Sequence, residues 1–207
     1  MSRPPGPYKQ DSGLYRVKVG GKWGYIDKAG KLVINPQFDS NFPFFEGLAS
    51  VGVGGKYGYI DRAGKLVINP QFDMTYGFSE GLAAVKVGGK WGYIDKAGKL
   101  VINPQFDMTP GFTEGLAAVV VGGRYGYIDK AGKLVINPQF DLTYGFTDGL
   151  AAAKVGGKWG YIDKTGKIVI NPQFDLTSGF TDGLASVGVG DKYGYIDKTG
   201  RYVWELQ

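Results

Sequence analysis

The 207 residues include neither histidine nor cysteine, so acid–base or nucleophilic chemistry would fall to Asp, Glu, Lys, Ser or Tyr. The commonest general base and metal ligand is thereby absent, as are disulfides and thiolate metal sites. Six aspartates invite a chemical reading: Asp27, Asp61, Asp95, Asp129, Asp163 and Asp197 stand 34 residues apart. Each opens a segment of the type "DKAGK". An Asp in that place accepts hydrogen bonds from its own turn, so a turn role takes precedence over metal binding. Asp141 and Asp148 lie in segments with no apolar pocket implied. The glycine-rich "GVGGKYG" lacks P-loop spacing and precedes a strand rather than a helix. Groups repeated in equivalent, separated copies mark structure, whereas an active site breaks symmetry. The expectation is a protein that is not an enzyme, with no catalytic residues, no metal and no cofactor.

The elements that carry these residues follow from one repeat. Trp23, Tyr57, Trp91, Tyr125, Trp159 and Tyr193 share the 34-residue spacing, and each is followed by Gly-Tyr-Ile-Asp. A full unit reads "GLAAVKVGGKWGYIDKAGKLVINPQFDMTYGFSE". Units start at 13, 47, 81, 115, 149 and 183, giving a single repeat domain over 13–207. Met1 to Ser12 reads as a flexible N-terminal arm. It lacks the apolar core of a secretory signal, and no stretch approaches a membrane span, so a cytoplasmic location is the default expectation. The net charge of +5 is spread along the chain, which favours a solvated surface over a nucleic-acid footprint.

Three β-prone runs stand in each unit: "LAAVKV", "KWGYID" and "KLVIN". A Gly-Gly pair joins the first two as a two-residue hairpin, and the Asp turn with its glycine joins the second and third. Pro36 and its counterparts are expected to break the third strand. The unit is thus a three-stranded antiparallel meander, and the chain is all-β. Both faces are apolar in all three strands: Trp91 and Tyr93 oppose Ile94, and Leu100 and Ile102 oppose Val101. Such a sheet must be sandwiched by its neighbours. Face-to-face stacking predicts a six-bladed β-propeller-like ring, with an open β superhelix or solenoid as the alternative. The connector is expected to be irregular, or to add a fourth strand.

A double period runs inside the single one. Lys18, Lys86 and Lys154 precede the tryptophans by five residues, while Gly52, Val120 and Gly188 precede the tyrosines. A two-residue turn makes these positions cross-strand partners, so a lysine stem covers the indole and a bare glycine is covered by the tyrosine ring. The alternation implies a 68-residue parent unit copied three times.

The unit closely resembles the WG-repeat, or KWG-repeat, family of bacterial proteins, through the Trp-Gly-Tyr-Ile-Asp core, the turn glycine and the Pro-Gln-Phe segment, in register from Gly13 to Gln207. The resemblance implies a β-repeat protein that binds other proteins and brings no catalytic residues. Tyr replaces the signature Trp in three copies. The copies are unusually alike, which is compatible with recent duplication or consensus design.

The leading expectation is a non-catalytic protein-interaction scaffold, with specificity where the copies differ. The connector varies most, with Phe42, Tyr76, Pro110, Tyr144 and Ser178 at one aligned position. Phe42, Phe45, Tyr76 and Tyr144 are the binding candidates. Phe44, Phe78, Phe112, Phe146 and Phe180 are expected to pack between modules, and Trp23, Tyr57, Trp91, Tyr125, Trp159 and Tyr193 to be structural. A multivalent carbohydrate-binding module is the alternative. A nucleic-acid-binding subunit using lysines such as Lys22, Lys28 and Lys31 ranks last. No membrane partner is expected.

Overall fold

Paired glycines of positive φ recur through the chain, such as Gly88 at 57° and Gly89 at 84°. Their conformation closes a two-residue hairpin whose twist matches the flanking strands. The second hairpin uses the aspartate as expected. Asp27 Oδ1 accepts the backbone N–H groups of Ala29 at 2.9 Å and Lys31 at 3.0 Å, and Gly30 sits at φ 81°.

The computed structural model describes Gln10, Asp11 and residues 13–207. The chain is all-β, with no helix among the described residues. It divides into two compact units, parted between Phe106 and Asp107. Three sheets lie in each unit, in chain order. The meander is the core of every sheet. In four of the six the connector adds a fourth strand. In the second sheet, for instance, Ser40–Phe45, Leu48–Val53, Lys56–Ile60 and Leu66–Phe72 pair in that order. The structural module therefore starts at the connector, ahead of the sequence unit. The expected arm, Met1 to Ser12, lies outside the described residues except for Gln10 and Asp11. Gln10 bridges to Phe45, and the Asp11 carboxylate accepts from Glu46 N at 3.1 Å and Gly47 N at 2.7 Å.

The cross-strand register is the one the alternation implies. Lys18 pairs with Trp23, Lys86 with Trp91 and Lys154 with Trp159. Gly52 pairs with Tyr57, and Gly188 with Tyr193.

Two expectations for the third strand are corrected. Proline does not break it: Leu32–Phe38 is one strand that contains Pro36. This strand is the free edge of its sheet, and it bulges there. Trp23 pairs with Phe38 and Tyr25 with Ile34, so between these pairs Gly24 alone faces Asn35, Pro36 and Gln37. At an edge bulge the missing N–H costs no ladder bond. Nor is the third strand buried on both faces. Leu100 is 44% exposed and Val101 42%, while Ile102 and Phe106 are buried. The edge has a neighbouring strand on one side only, and its first residues are open to solvent on both faces.

The bulge explains the glycine after each Trp or Tyr. A Cβ on Gly92 would lie 2.4 Å from the Ile102 carbonyl oxygen and 2.6 Å from Pro104 N. The edge strand folds its backbone over a residue that has no side chain, so glycine is required there by close approach rather than by φ.

Within each unit the cores form between successive sheets. In one cluster Leu14, Tyr25, Ile34 and Phe38 of the first sheet meet Phe44, Ala49, Val51 and Ile60 from the second. The next repeats it with Tyr59, Ile68 and Phe72 against Phe78, Ala83 and Val85. In the C-terminal unit, two clusters use the same positions. Phe44, Phe78, Phe112, Phe146 and Phe180 are all buried, as expected. Burying one such ring contributes about 1.5–3 kcal/mol, and it is realised only when the adjacent sheet is present.

Candidate interaction surface

The carboxylates that invited a chemical reading have structural tasks, as does the aspartate at each sheet crossing. Asp39 lies at the single-residue crossing between the first sheet, ending at Phe38, and the second, beginning at Ser40. Its Oδ1 takes Lys22 Nζ at 2.5 Å and its Oδ2 accepts from Gly54 N at 2.8 Å. The bond to Lys22, then the Gly54 N–H, holds the Asp39 carboxyl below the usual 3.8. Asp73 repeats this with Lys56 and Gly88, and Asp175 with Lys158 and Gly190. Asp141 does so with Arg124 and Gly156. The crossing aspartate thus staples one sheet to the next.

A second staple escaped the sequence reading. Glu46, Glu80, Glu114, Asp148 and Asp182 have φ between 49° and 54°, a left-handed conformation that costs a side-chain-bearing residue. Each precedes a glycine that is also at positive φ, as a tight hairpin demands. Glu46 Oε2 accepts from Gly81 N of the next sheet at 3.1 Å, and Lys96 Nζ reaches Glu46 Oε2 at 3.2 Å. Glu114 makes the same contacts with Gly149 and Lys164. The signal was present as an acidic residue before glycine at every connector end.

Buried tyrosines form a third link. Tyr25 donates to the Phe42 carbonyl at 2.7 Å, Tyr59 to that of Tyr76 at 2.6 Å, and Tyr127 to that of Tyr144 at 2.6 Å. Burial raises the phenols of Tyr25, Tyr59 and Tyr127 well above the usual 10.0, and pushes Tyr161 up to about 12. Among the described residues no cluster of three or more Asp or Glu could hold a metal ion.

The binding candidates sort into two kinds. Phe45 packs against the following sheet: a Cβ on Gly77 would be 2.4 Å from its ring. Ser79, Thr113, Thr147 and Thr181 occupy the equivalent place in the other copies. Phe42, Tyr76 and Tyr144 instead lie on the structural aromatic of their own sheet. Tyr76 stacks on Trp91 at 4.8 Å and 7°, and Tyr144 on Trp159 at 4.8 Å and 22°. Phe42 meets Tyr57 at 6.2 Å, tilted by 53°. Phe42 stays 41% exposed and Tyr76 39%. Lys86 Nζ lies 5.9 Å from the Trp91 ring and Lys154 Nζ 5.8 Å from that of Trp159. The tyrosine at the varying position belongs to the 68-residue alternation: it accompanies Trp91 and Trp159, whereas Phe42, Pro110 and Ser178 accompany Tyr57, Tyr125 and Tyr193. Trp91 and Trp159 are buried beneath these layers, while Trp23, Tyr57 and Tyr125 are half-buried and Tyr193 is exposed.

The result is one equivalent position in each connector, held by Phe42, Tyr76, Pro110, Tyr144 and Ser178 in turn. No helix is long and apolar enough to cross a membrane among the described residues.

The family model described as WG containing repeat matches five successive stretches, residues 23–57, 57–91, 91–125, 125–159 and 159–193. No curated protein matches the chain. Among solved structures, Hsv2p of Kluyveromyces lactis is similar at 12% identity and TM-score 0.56, over 92% of this chain and 73% of its own. A eukaryotic initiation factor is similar at 12% identity and TM-score 0.60, over 93% of this chain and 62% of its own. The WD40 β-propeller domain of Doa1 aligns over 99% of this chain and 84% of its own, at 12% identity and TM-score 0.45. This chain thus spans less than two thirds of the initiation factor and about three quarters of Hsv2p.

Proposed function

The chain belongs to the WG-containing-repeat family, and from that membership we propose that it is a non-catalytic protein-interaction scaffold. One observation carries this reading: the position that varies most between copies holds half-exposed aromatic rings seated on rigid supports. Tyr76 and Tyr144 each cover a tryptophan, and Phe42 lies over Tyr57. Aromatic anchors held in one orientation lose little entropy on binding. The carboxylates and lysines that chemistry would need are engaged in stapling sheets together, which supports a structural role for them. Alanine at Phe42, Tyr76 and Tyr144 together should abolish capture of a native partner from host extract while the folded chain persists. Undiminished capture by this triple variant overturns the reading.

The coplanar pairs Tyr76–Trp91 and Tyr144–Trp159 favour one second reading, a multivalent carbohydrate-binding module. A flat ring beside a lysine suits the apolar face of a sugar, and two sites on one chain would add avidity. Saturable binding on a glycan array, lost with Tyr76→Ala and Tyr144→Ala, would support it. A blank array would remove it.

A further inference from the structure

Within the two units, one contact is made four times. The sheet face that bears the buried tyrosine is covered by a phenylalanine of the following sheet. Tyr25 meets Phe44 at 4.9 Å, Tyr59 meets Phe78 at 5.0 Å, Tyr127 meets Phe146 at 4.9 Å and Tyr161 meets Phe180 at 4.7 Å. The sixth sheet carries the same face with its residues in the open. Tyr195, the counterpart of these tyrosines, is 51% exposed, and Trp204, standing where Ile170 stands one unit earlier, is 57% exposed. Asp182 holds the strained φ of 51° that its counterparts use to reach the next sheet.

The first sheet carries the opposite face, altered in a matching way. In every later copy this face has a small alanine, Ala49, Ala83, Ala117, Ala151 or Ala185, beside the connector phenylalanine. In the first copy the phenylalanine position is Gln10, which pairs with Phe45 of the second sheet instead. The alanine position is Tyr15, 52% exposed. The aromatic lost at one place is thus supplied at the other. The basic partner is present too: Lys28 aligns with Lys96, Lys164 and Lys198, which lie 3.2 Å, 3.1 Å and 3.9 Å from Glu46, Glu114 and Asp148 respectively.

We infer that the sixth-sheet face of Tyr195, Trp204 and Asp182 is a docking surface for the first-sheet face of a second copy of this chain, bearing Tyr15, Val17 and Lys28. The contact continues the interface already built between successive sheets. Tyr15 packs on Tyr195 in place of the usual phenylalanine, and Lys28 meets Asp182. Two different faces join, so the association is head-to-tail and adds copies one after another.

Sedimentation of the full chain over a range of concentrations tests this. The wild type should gain mass with concentration in steps of one chain. Trp204→Asp and Tyr15→Asp should each weaken self-association at least about tenfold, as loss of an aromatic anchor does. Both residues are already exposed, so thermal melts should remain close to wild type. A mixture of the two variants should form a one-to-one dimer and nothing larger, because one intact face of each kind remains. A wild type that stays monomeric throughout overturns the inference. So does self-association that both substitutions leave unchanged, or a mixture that fails to pair.

Discussion

Tyr76 lies flat on Trp91, 4.8 Å away and 7° from parallel, and both belong to one sheet. The connector here is not a loop draped over the repeat but a fourth strand carried with the module, as it is in four of the six sheets. What differs between copies is displayed at a fixed place on each sheet, and what is common holds one sheet to the next.

Replacing Tyr76 with alanine should uncover the Trp91 indole. The loss is expected to be about 0.5–1.5 kcal/mol, the range for a well-placed aromatic pair. A red shift and increased quenching of tryptophan emission would accompany it. An unchanged emission spectrum would show that the stack does not persist in solution.

Two glycine substitutions should separate close approach from backbone conformation. Gly92→Ala drives a Cβ into the Ile102 carbonyl, 2.4 Å away, and should cost at least about 3 kcal/mol. Gly88→Ala meets nothing within 4 Å and strains only a φ of +57°, so it should cost about 1–2 kcal/mol. Denaturant melts that rank the two the other way would contradict the edge-bulge explanation.

Much of this was legible in the sequence, and what was hidden has a common cause. The hairpins could be read from Gly88, Gly89 and Asp27, because a turn is local. The pairing of Lys86 with Trp91 followed from loop length alone. Relations between modules were harder. That Asp39 binds Lys22 and Gly54, or that Glu46 reaches Gly81, depends on how one sheet leans on another. Likewise the exposure of Leu100 reflects its place at the start of an edge strand, while its residue type alone suggested burial. The packing of Phe45 could not be read from its own segment because the residue it lies on, Gly77, is a glycine in a different sheet.

High pH should loosen the stack. Four phenols are held neutral by burial: Tyr25, Tyr59 and Tyr127 well above 10.0, and Tyr161 up to about 12. In the unfolded chain they ionise near 10, so their contribution is intact below that pH and is lost as the pH climbs through the raised values. Unfolding by circular dichroism above about pH 10 should coincide with the last-ionising part of the tyrosinate absorbance, which the four buried phenols contribute. Complete tyrosine ionisation in a chain that stays folded would contradict the burial.

Low pH should act on the crossing aspartates. Lysine and backbone N–H bonds hold Asp39, Asp73 and Asp175 below 3.8. Their contribution is present above that value and is lost as the pH falls through the lowered ones. Lys56→Ala should return Asp73 toward 3.8 in a carboxyl-carbon NMR titration. An Asp73 titration unaffected by that change would show that the staple is open in solution.

The central claim is that a module hides its apolar faces only against another module. The third module, residues 73–106, should show no cooperative melt by circular dichroism when made alone, whereas residues 10–106 should melt as a unit. A lone module that unfolds in a single sharp transition would contradict the claim.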